Sequence, residues 1–264
     1  MAGTTTAERG RRQQESSGPP PPRRLRTPRL RTIIILAVAL ALLAGGGAWV
    51  LYGSQWARVE RVSVSGTREL TPEQVTGAAG VPLGAPLVSV DTDAIAARLA
   101  AQLPRIDTVD VARSWPHGIS LKVTERTAVL LIQKGGTFTE VDKDGVRFAT
   151  VSKAPKGVPL LELTVSRSGS AAASLRRFDE ARLMREAVRV AGSVPPAVQR
   201  ATRVVKVRSY DDISLELTDR RTIAWGSAEK APAKSRTLTA LMKAEPDARH
   251  FDVSVPTAPA ASAS

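Results

Sequence analysis

Ser227 and Lys230 stand three residues apart in Trp225-Gly226-Ser227-Ala228-Glu229-Lys230. On a helix that spacing sets a lysine amine one turn from a nucleophilic hydroxyl, and the chemistry would be acyl transfer through a serine ester. The companion motifs fail. The chain contains no asparagine, so no Ser-x-Asn exists, and Lys134-Gly135-Gly136 is a poor counterpart of Lys-Thr-Gly. The segment reads better as a strand-to-helix connection. His117 and His250 are the only histidines, and a zinc hydrolase or a Ser-His-Asp triad would need one in a polar cleft; His117 follows Trp115-Pro116 in a turn instead. Asp142 and Asp144 precede Gly145 as in a calcium loop, but no glutamate stands at the twelfth position. Asp211-Asp212 lies between strand candidates, so both acidic pairs read as turns. The absence of cysteine removes disulfides, thiolate metal sites and cysteine nucleophiles. The expectation is a protein that is not an enzyme, with no catalytic residue, cofactor, metal or small-molecule substrate.

What remains is organised around Thr32 to Tyr52, TIIILAVALALLAGGGAWVLY, which no charged residue interrupts. About 20 apolar residues at ~1.5 Å each cover the hydrocarbon core of a bilayer, and a run apolar on every face is a span rather than a core helix. Ala37, Ala41 and Gly45 recur every four residues, a small-residue face where a neighbouring helix could approach. Before the span, eight arginines oppose only Glu8 and Glu15, a net +6 of the chain's +13. Basic flanks stay inside, so the amino end is expected in the cytoplasm and the remainder outside the cytoplasmic (inner) membrane. A cleaved signal peptide is the rival; the run is too long for one and too far from the amino end. Residues 1–31, with Pro19 to Pro22 and few apolar side chains, read as a disordered tail. Without interleaved aromatics its charge does not point to nucleic acid.

After a linker over 53–57, residues 58–128 read as strand, helix, helix, strand, strand. Val59 to Val64 alternates and stops at Gly66. Thr71-Pro72-Glu73-Gln74 supplies an N-cap, a proline at N1 and a capping-box Gln, with Leu70 and Val75 placed as a staple. A second helix begins at Asp91 or Thr92, carries Ile95, Leu99 and Leu103 inward and stops at Pro104. Thr108 to Arg113 and Ile119 to Glu125 form the last two strands. Over 129–255, strands are expected at Val129–Ile132, Thr137–Val141, Val204–Arg208, Ile213–Leu217, Thr222–Trp225 and His250–Val255. Asp144-Gly145 makes a hairpin turn, and helices fall around Leu183–Ala191 and Ala233–Lys243. Residues 256–264 (PTAPAASAS) read as a disordered tail. The fold class is α+β: one transmembrane helix, a βααββ module, and a mixed, mostly antiparallel β domain with flanking helices.

The βααββ order, with Gly66, the run Val111 to Pro116 and Val123-Thr124-Glu125-Arg126, resembles a POTRA domain. More narrowly, the chain is similar to the FtsQ/DivIB family of bacterial cell-division proteins. Glu140 to Phe148 resembles the family's hairpin, Thr222 to Lys230 its strand-to-helix segment, and Phe251 to Pro256 its last strand. The stretch Thr164 to Ser174 has no clear place in that pattern. The resemblance implies a divisome scaffold at the division septum that binds the bitopic proteins FtsB and FtsL, with FtsW and FtsI as further candidates. It would link early and late components of the machinery and help control septal peptidoglycan synthesis.

From the residues alone, the last strand offers the mechanism. If it lies at the sheet edge, its unpaired backbone groups can accept a partner strand. Specificity would come from Phe251, Val253 and Val255 or from the alternate set His250, Asp252 and Ser254. The alternative functions are a POTRA-bearing secretion or chaperone component and an envelope peptidoglycan-processing enzyme.

Overall fold

The computed structural model describes residues 30–53, 55–164 and 179–263. The tail over 1–29 and most of the unplaced stretch, 165–174, lie outside the described residues. Helix α1 (Leu30–Tyr52) is one unbroken element that takes in Gly45 to Gly47 and begins two residues before the expected span. It is long and apolar enough to cross a membrane, and among the described residues no other helix is.

Residues 51–264 form a separate compact unit built on two cores. The first surrounds a three-stranded sheet in the order β1-β3-β2, made of β1 (Arg61–Ser65), β2 (Ile106–Ser114) and β3 (Gly118–Glu125). β1 runs parallel to β3, and β2 pairs with β3 antiparallel. Helices α2 (Pro72–Ala79) and α3 (Thr92–Gln102) intervene between β1 and β2, giving the expected βααββ order. The capping box forms in full: Thr71 accepts the Gln74 N–H, and the Gln74 side chain accepts the Thr71 N–H. Val75, Leu87, Ile95, Leu99, Ile119 and Leu121 fill the interior, each contributing about 2 kcal/mol of burial. Gly66 has φ +84°, and a Cβ there would lie 2.1 Å from the Val123 carbonyl oxygen. Only glycine ends β1 in this way. The fold is already engaged at Ala57, which is buried and whose carbonyl accepts the Leu87 N–H, so the ordered module starts inside the expected linker.

The second core lies on a nine-stranded sheet, ordered β12-β11-β10-β9-β8-β7-β4-β5-β6. Its strands are β4 (Leu130–Lys134), β5 (Thr137–Val141), β6 (Arg147–Val151), β7 (Leu160–Leu163), β8 (Thr202–Val207), β9 (Ile213–Leu217), β10 (Thr222–Ala224), β11 (His250–Asp252) and β12 (Ala260–Ser262). Five of the eight pairings are antiparallel and three are parallel. Ile213, Leu215 and Leu217 alternate inward as expected. Helix α4 (Glu180–Ser193), capped by Asp179, lays Leu183, Met184, Ala187, Val188, Val190 and Ala191 on the sheet. α5 (Pro196–Ala201) and α6 (Ala231–Ala244) complete the layer. β7 was not anticipated: four residues followed by a polar stretch carry too little periodicity to announce a strand, and parallel neighbours β4 and β8 hold it in place.

Two expectations at the carboxyl end are corrected. Residues 256–264 are not disordered throughout, because Ala260–Ser262 pairs antiparallel with β11. Backbone hydrogen bonds to a waiting strand need no side-chain burial, so small residues suffice. β11 is therefore not the sheet edge, being held between β10 and β12. It also ends at Asp252 rather than Val255.

Candidate partner interface

The nine-stranded sheet ends in β6 on one side and, next to the expected last strand, in β12 on the other. The register of β12 places His250 opposite Ser262, Phe251 opposite Ala261 and Asp252 opposite Ala260. The choice left open between the two faces of the last strand is decided here. Phe251 and Val253 are buried among the residues of the second core, whereas His250 and Asp252 face outward. Val255 is 54% exposed, beyond the strand. The His250 ring Nδ1 shares a hydrogen bond with the Thr222 hydroxyl on β10. Asp252 accepts the Ser254 N–H at 2.9 Å and its hydroxyl at 2.7 Å, turning the chain out of β11. Val253 donates to the Ala224 carbonyl at 2.9 Å. The predicted recognition residues thus split into core, outer face and turn, and the strand at the end of the sheet order, among the described residues, is the next one along. Ala260 and Ser262 are exposed and carry neither the charge nor the bulk that commonly blunts an edge.

The platform under this edge is stitched by two buried charges. Lys234 on α6 is 3% exposed and donates from Nζ to the carbonyls of Trp225 and Ser227, both at 2.9 Å. Burial pulls its amine below the ordinary lysine value, against the charges of Glu229, Asp211 and Glu186. Glu186 on α4, 2% exposed, accepts the Ala228 N–H at 2.7 Å. Gly226 fits between them at φ +75°, where a Cβ would sit 3.2 Å from that of Ser254. Lys234 was missed in the sequence, although its spacing to Leu238 and Leu241 places it on the inward stripe of α6.

The residues weighed for catalysis do not assemble. α6 begins at Ala231, after both Ser227 and Lys230, so no helical turn joins them. Ser227 Oγ accepts the Glu229 N–H, and Lys230 occupies a left-handed cap and is exposed. His117 Nδ1 lies 3.7 Å from Glu60 Oε1 in the β2–β3 turn. Asp211-Asp212 forms the β8–β9 turn, where Asp212 pairs with Arg208. The carboxylates of Asp107, Asp142 and Asp144 cluster, but Arg126 pairs with the first two and Lys143 with Asp107 and Asp144. These donors belong to an ion-pair network that already holds two cations. Ala37, Ala41 and Gly45 lie exposed on α1, and a Cβ at Gly45 would meet nothing within 4 Å.

Residues 57–126 match the family model described as POTRA domain, FtsQ-type. The whole chain is 74% identical over 264 residues to the cell division protein FtsQ of Streptomyces coelicolor, covering 100% of both chains. The chain belongs to the FtsQ family of cell-division proteins. The FtsQ of Streptomyces venezuelae is 59% identical over 239 residues, 90% of this chain and 86% of that one. The FtsQ of Mycolicibacterium smegmatis is 33% identical over 227 residues, 86% of this chain and 62% of its relative. The extracytoplasmic domain of DivIB from Geobacillus stearothermophilus aligns with 46% of the chain and 94% of its own at 16% identity and a TM-score of 0.32. The βααββ module is thus a POTRA domain of the FtsQ type, and the nine-stranded sheet follows it in an FtsQ-family chain.

Proposed function

We propose that this protein is a membrane-anchored scaffold of the division machinery which takes up a strand from a bitopic partner along β12. α1 crosses the cytoplasmic membrane with the arginine-rich residues 9–31 inside. The POTRA domain and the nine-stranded sheet stand outside, at the septum. FtsB and FtsL are the partners, FtsW and FtsI lie further along the assembly, and the scaffold links early to late components and helps control septal peptidoglycan synthesis. The observation that carries this reading is the place of the small-residue strand Ala260–Ser262 at the end of the sheet order, among the described residues, beside β11. Family membership supports the setting, and the charge asymmetry of the tail supports the orientation. Ala37, Ala41 and Gly45 offer a secondary helix contact inside the bilayer.

The test is proline substitution on β12 itself. Successive N–H groups along a strand point to opposite sides. Of Ala260→Pro and Ala261→Pro, one therefore removes a donor from the side away from β11 and the other a donor facing β11. Both should reduce co-purification of FtsB and FtsL from mildly solubilised membranes while the protein stays membrane-integral. Undiminished capture by both folded variants rejects strand addition at β12. Val253→Pro is unsuitable, since the Val253 N–H is already bonded to Ala224 within the core.

A further inference from the structure

At one end of the POTRA domain three separate segments come together. The chain leaving α1 joins the fold at Ala57 and enters β1 at Arg61. The β2–β3 turn lies directly beside it: the His117 carbonyl accepts the N–H groups of Glu60 at 2.8 Å and Arg61 at 3.3 Å. The loop before the Leu87–Ser89 turn flanks the other side. There Gly84 donates to the Val59 carbonyl at 2.8 Å, Val59 donates to Ala85 at 3.0 Å, and the Arg58 guanidinium donates to the Gly84 carbonyl at 2.6 Å. Each segment carries one large exposed apolar side chain: Trp56 at 63%, Leu83 at 67% and Trp115 at 51%. The same end holds Arg58, Glu60 and Arg61, and Arg113, whose guanidinium donates to the Leu87 and Val90 carbonyls.

We infer that this end of the POTRA domain rests on the headgroup layer of the membrane that α1 crosses, with Trp56, Leu83 and Trp115 inserted among the lipids. The inference rests on the reading of α1 as a span. From Tyr52 to Ala57 is five residues, and an extended chain covers at most about 3.5 Å per residue, so this end is tethered within about 17 Å of the end of the helix. The interfacial region on each side of a bilayer is itself several ångströms deep. Tryptophan has an apolar body and a single N–H donor and partitions to that region. The exposed Arg61, with Arg58 beside it, complements anionic phosphates, each basic group near such a surface adding to the attraction. Leu83, 67% exposed on the flanking loop, adds a third apolar side chain to the two tryptophans. The lipid surface is thereby a second point of attachment, and it fixes the tilt of the POTRA domain instead of leaving it to swing on a tether.

The chain has no cysteine, so single cysteines can carry nitroxide labels in the full-length protein. Leu83→Cys and Ser114→Cys report on this end, and Lys134→Cys, at the exposed end of β4, reports on the aqueous side. In vesicles containing phosphatidylglycerol, at high lipid-to-protein ratio, labels at 83 and 114 should collide with oxygen in preference to a water-soluble nickel chelate. Their nickel accessibility should be severalfold below that at 134. Adding Trp115→Ser should return the label at 83 towards the value at 134. Equal nickel accessibility at all three sites overturns the inference. So does protection that vanishes on dilution into excess lipid, which identifies a contact between copies, and so does release of the chain from vesicles by alkaline wash, which removes the span itself.

Discussion

The guanidinium of Arg126, just past the end of β3, pairs with the carboxylate of Asp142, just past the end of β5, so that the POTRA domain is bolted to the nine-stranded sheet by a largely buried ion pair. Asp142 is 2% exposed and also accepts the N–H groups of Asp144 at 2.9 Å and Val146 at 2.8 Å. Arg126 reaches Asp107 at 3.4 Å and the Pro104 carbonyl at 3.1 Å. Alongside, Arg105 pairs with Glu140 at 3.0 Å and lies over the Phe148 ring, 5.4 Å from its centre.

Removing one partner of a buried pair strands the other charge, so Arg126→Ala should lower unfolding free energy by about 3 kcal/mol. Lys143, 66% exposed in the same network, should matter far less when replaced by alanine, at under about 1 kcal/mol. Denaturant unfolding of the two full-length variants measures the difference. Hydrogen exchange should quicken around residues 126 and 142 only in the first.

Acid should loosen the same seam. Burial raises the Asp142 carboxyl, but the Val146 and Asp144 N–H groups and Arg126 outweigh it and hold it below the usual carboxylate value. Glu125 behaves alike: burial pushes it up, and the N–H groups of Arg68, Leu70 and Glu69, with the Arg105 charge, bring it below. A carboxylate depressed in the folded state adds stability that is present above its unfolded pKa and lost as pH falls through the folded one. Stability should be level above about pH 5 and fall below about pH 4. Glu125→Gln should flatten part of that fall in a series of thermal melts. An unaltered acid limb would assign the loss to other groups.

Lys234→Met keeps most of the side-chain volume but leaves the Trp225 and Ser227 carbonyls unpaired in a buried site. Two lost acceptor partners should cost about 2–4 kcal/mol. Lys230→Met, at an exposed cap, should change melting little. Equal effects from the two substitutions would remove Lys234 from its structural role.

Much of the POTRA domain was legible because its signals are local. Thr71 to Gln74 writes a cap in four residues, Gly66 marks a backbone that a Cβ would block, and Ile119, Leu121 and Val123 alternate on one face. The far end of the large sheet was not legible for the opposite reason. Ala260, Ala261 and Ser262 have no strand preference of their own and become a strand only because β11 offers its backbone. That one addition moved the candidate interface off His250 to Val255, whose side chains proved to be core, outer face and turn. Lys234 was hidden because a lysine on an inward stripe reads as solvated until the carbonyls it reaches are known.

Strand order also has a mechanical meaning. β12 and β5 are seven neighbours apart in the sheet, so a strand added to β12 would lie eight steps from β5, which at about 4.8 Å per step is roughly 38 Å from the strand that leads to Asp142. Force entering at that edge crosses rows of backbone hydrogen bonds in series before it reaches the POTRA domain. The sparsest row on that path is the single Leu131–Leu160 pairing of β4 with β7, and with the three-residue pairings that join β9, β10, β11 and β12 it is the first to yield. Pulled along the strands they are sheared together, and pulled sideways they peel one bond at a time. The sheet therefore resists tension best when the pull runs parallel to its strands.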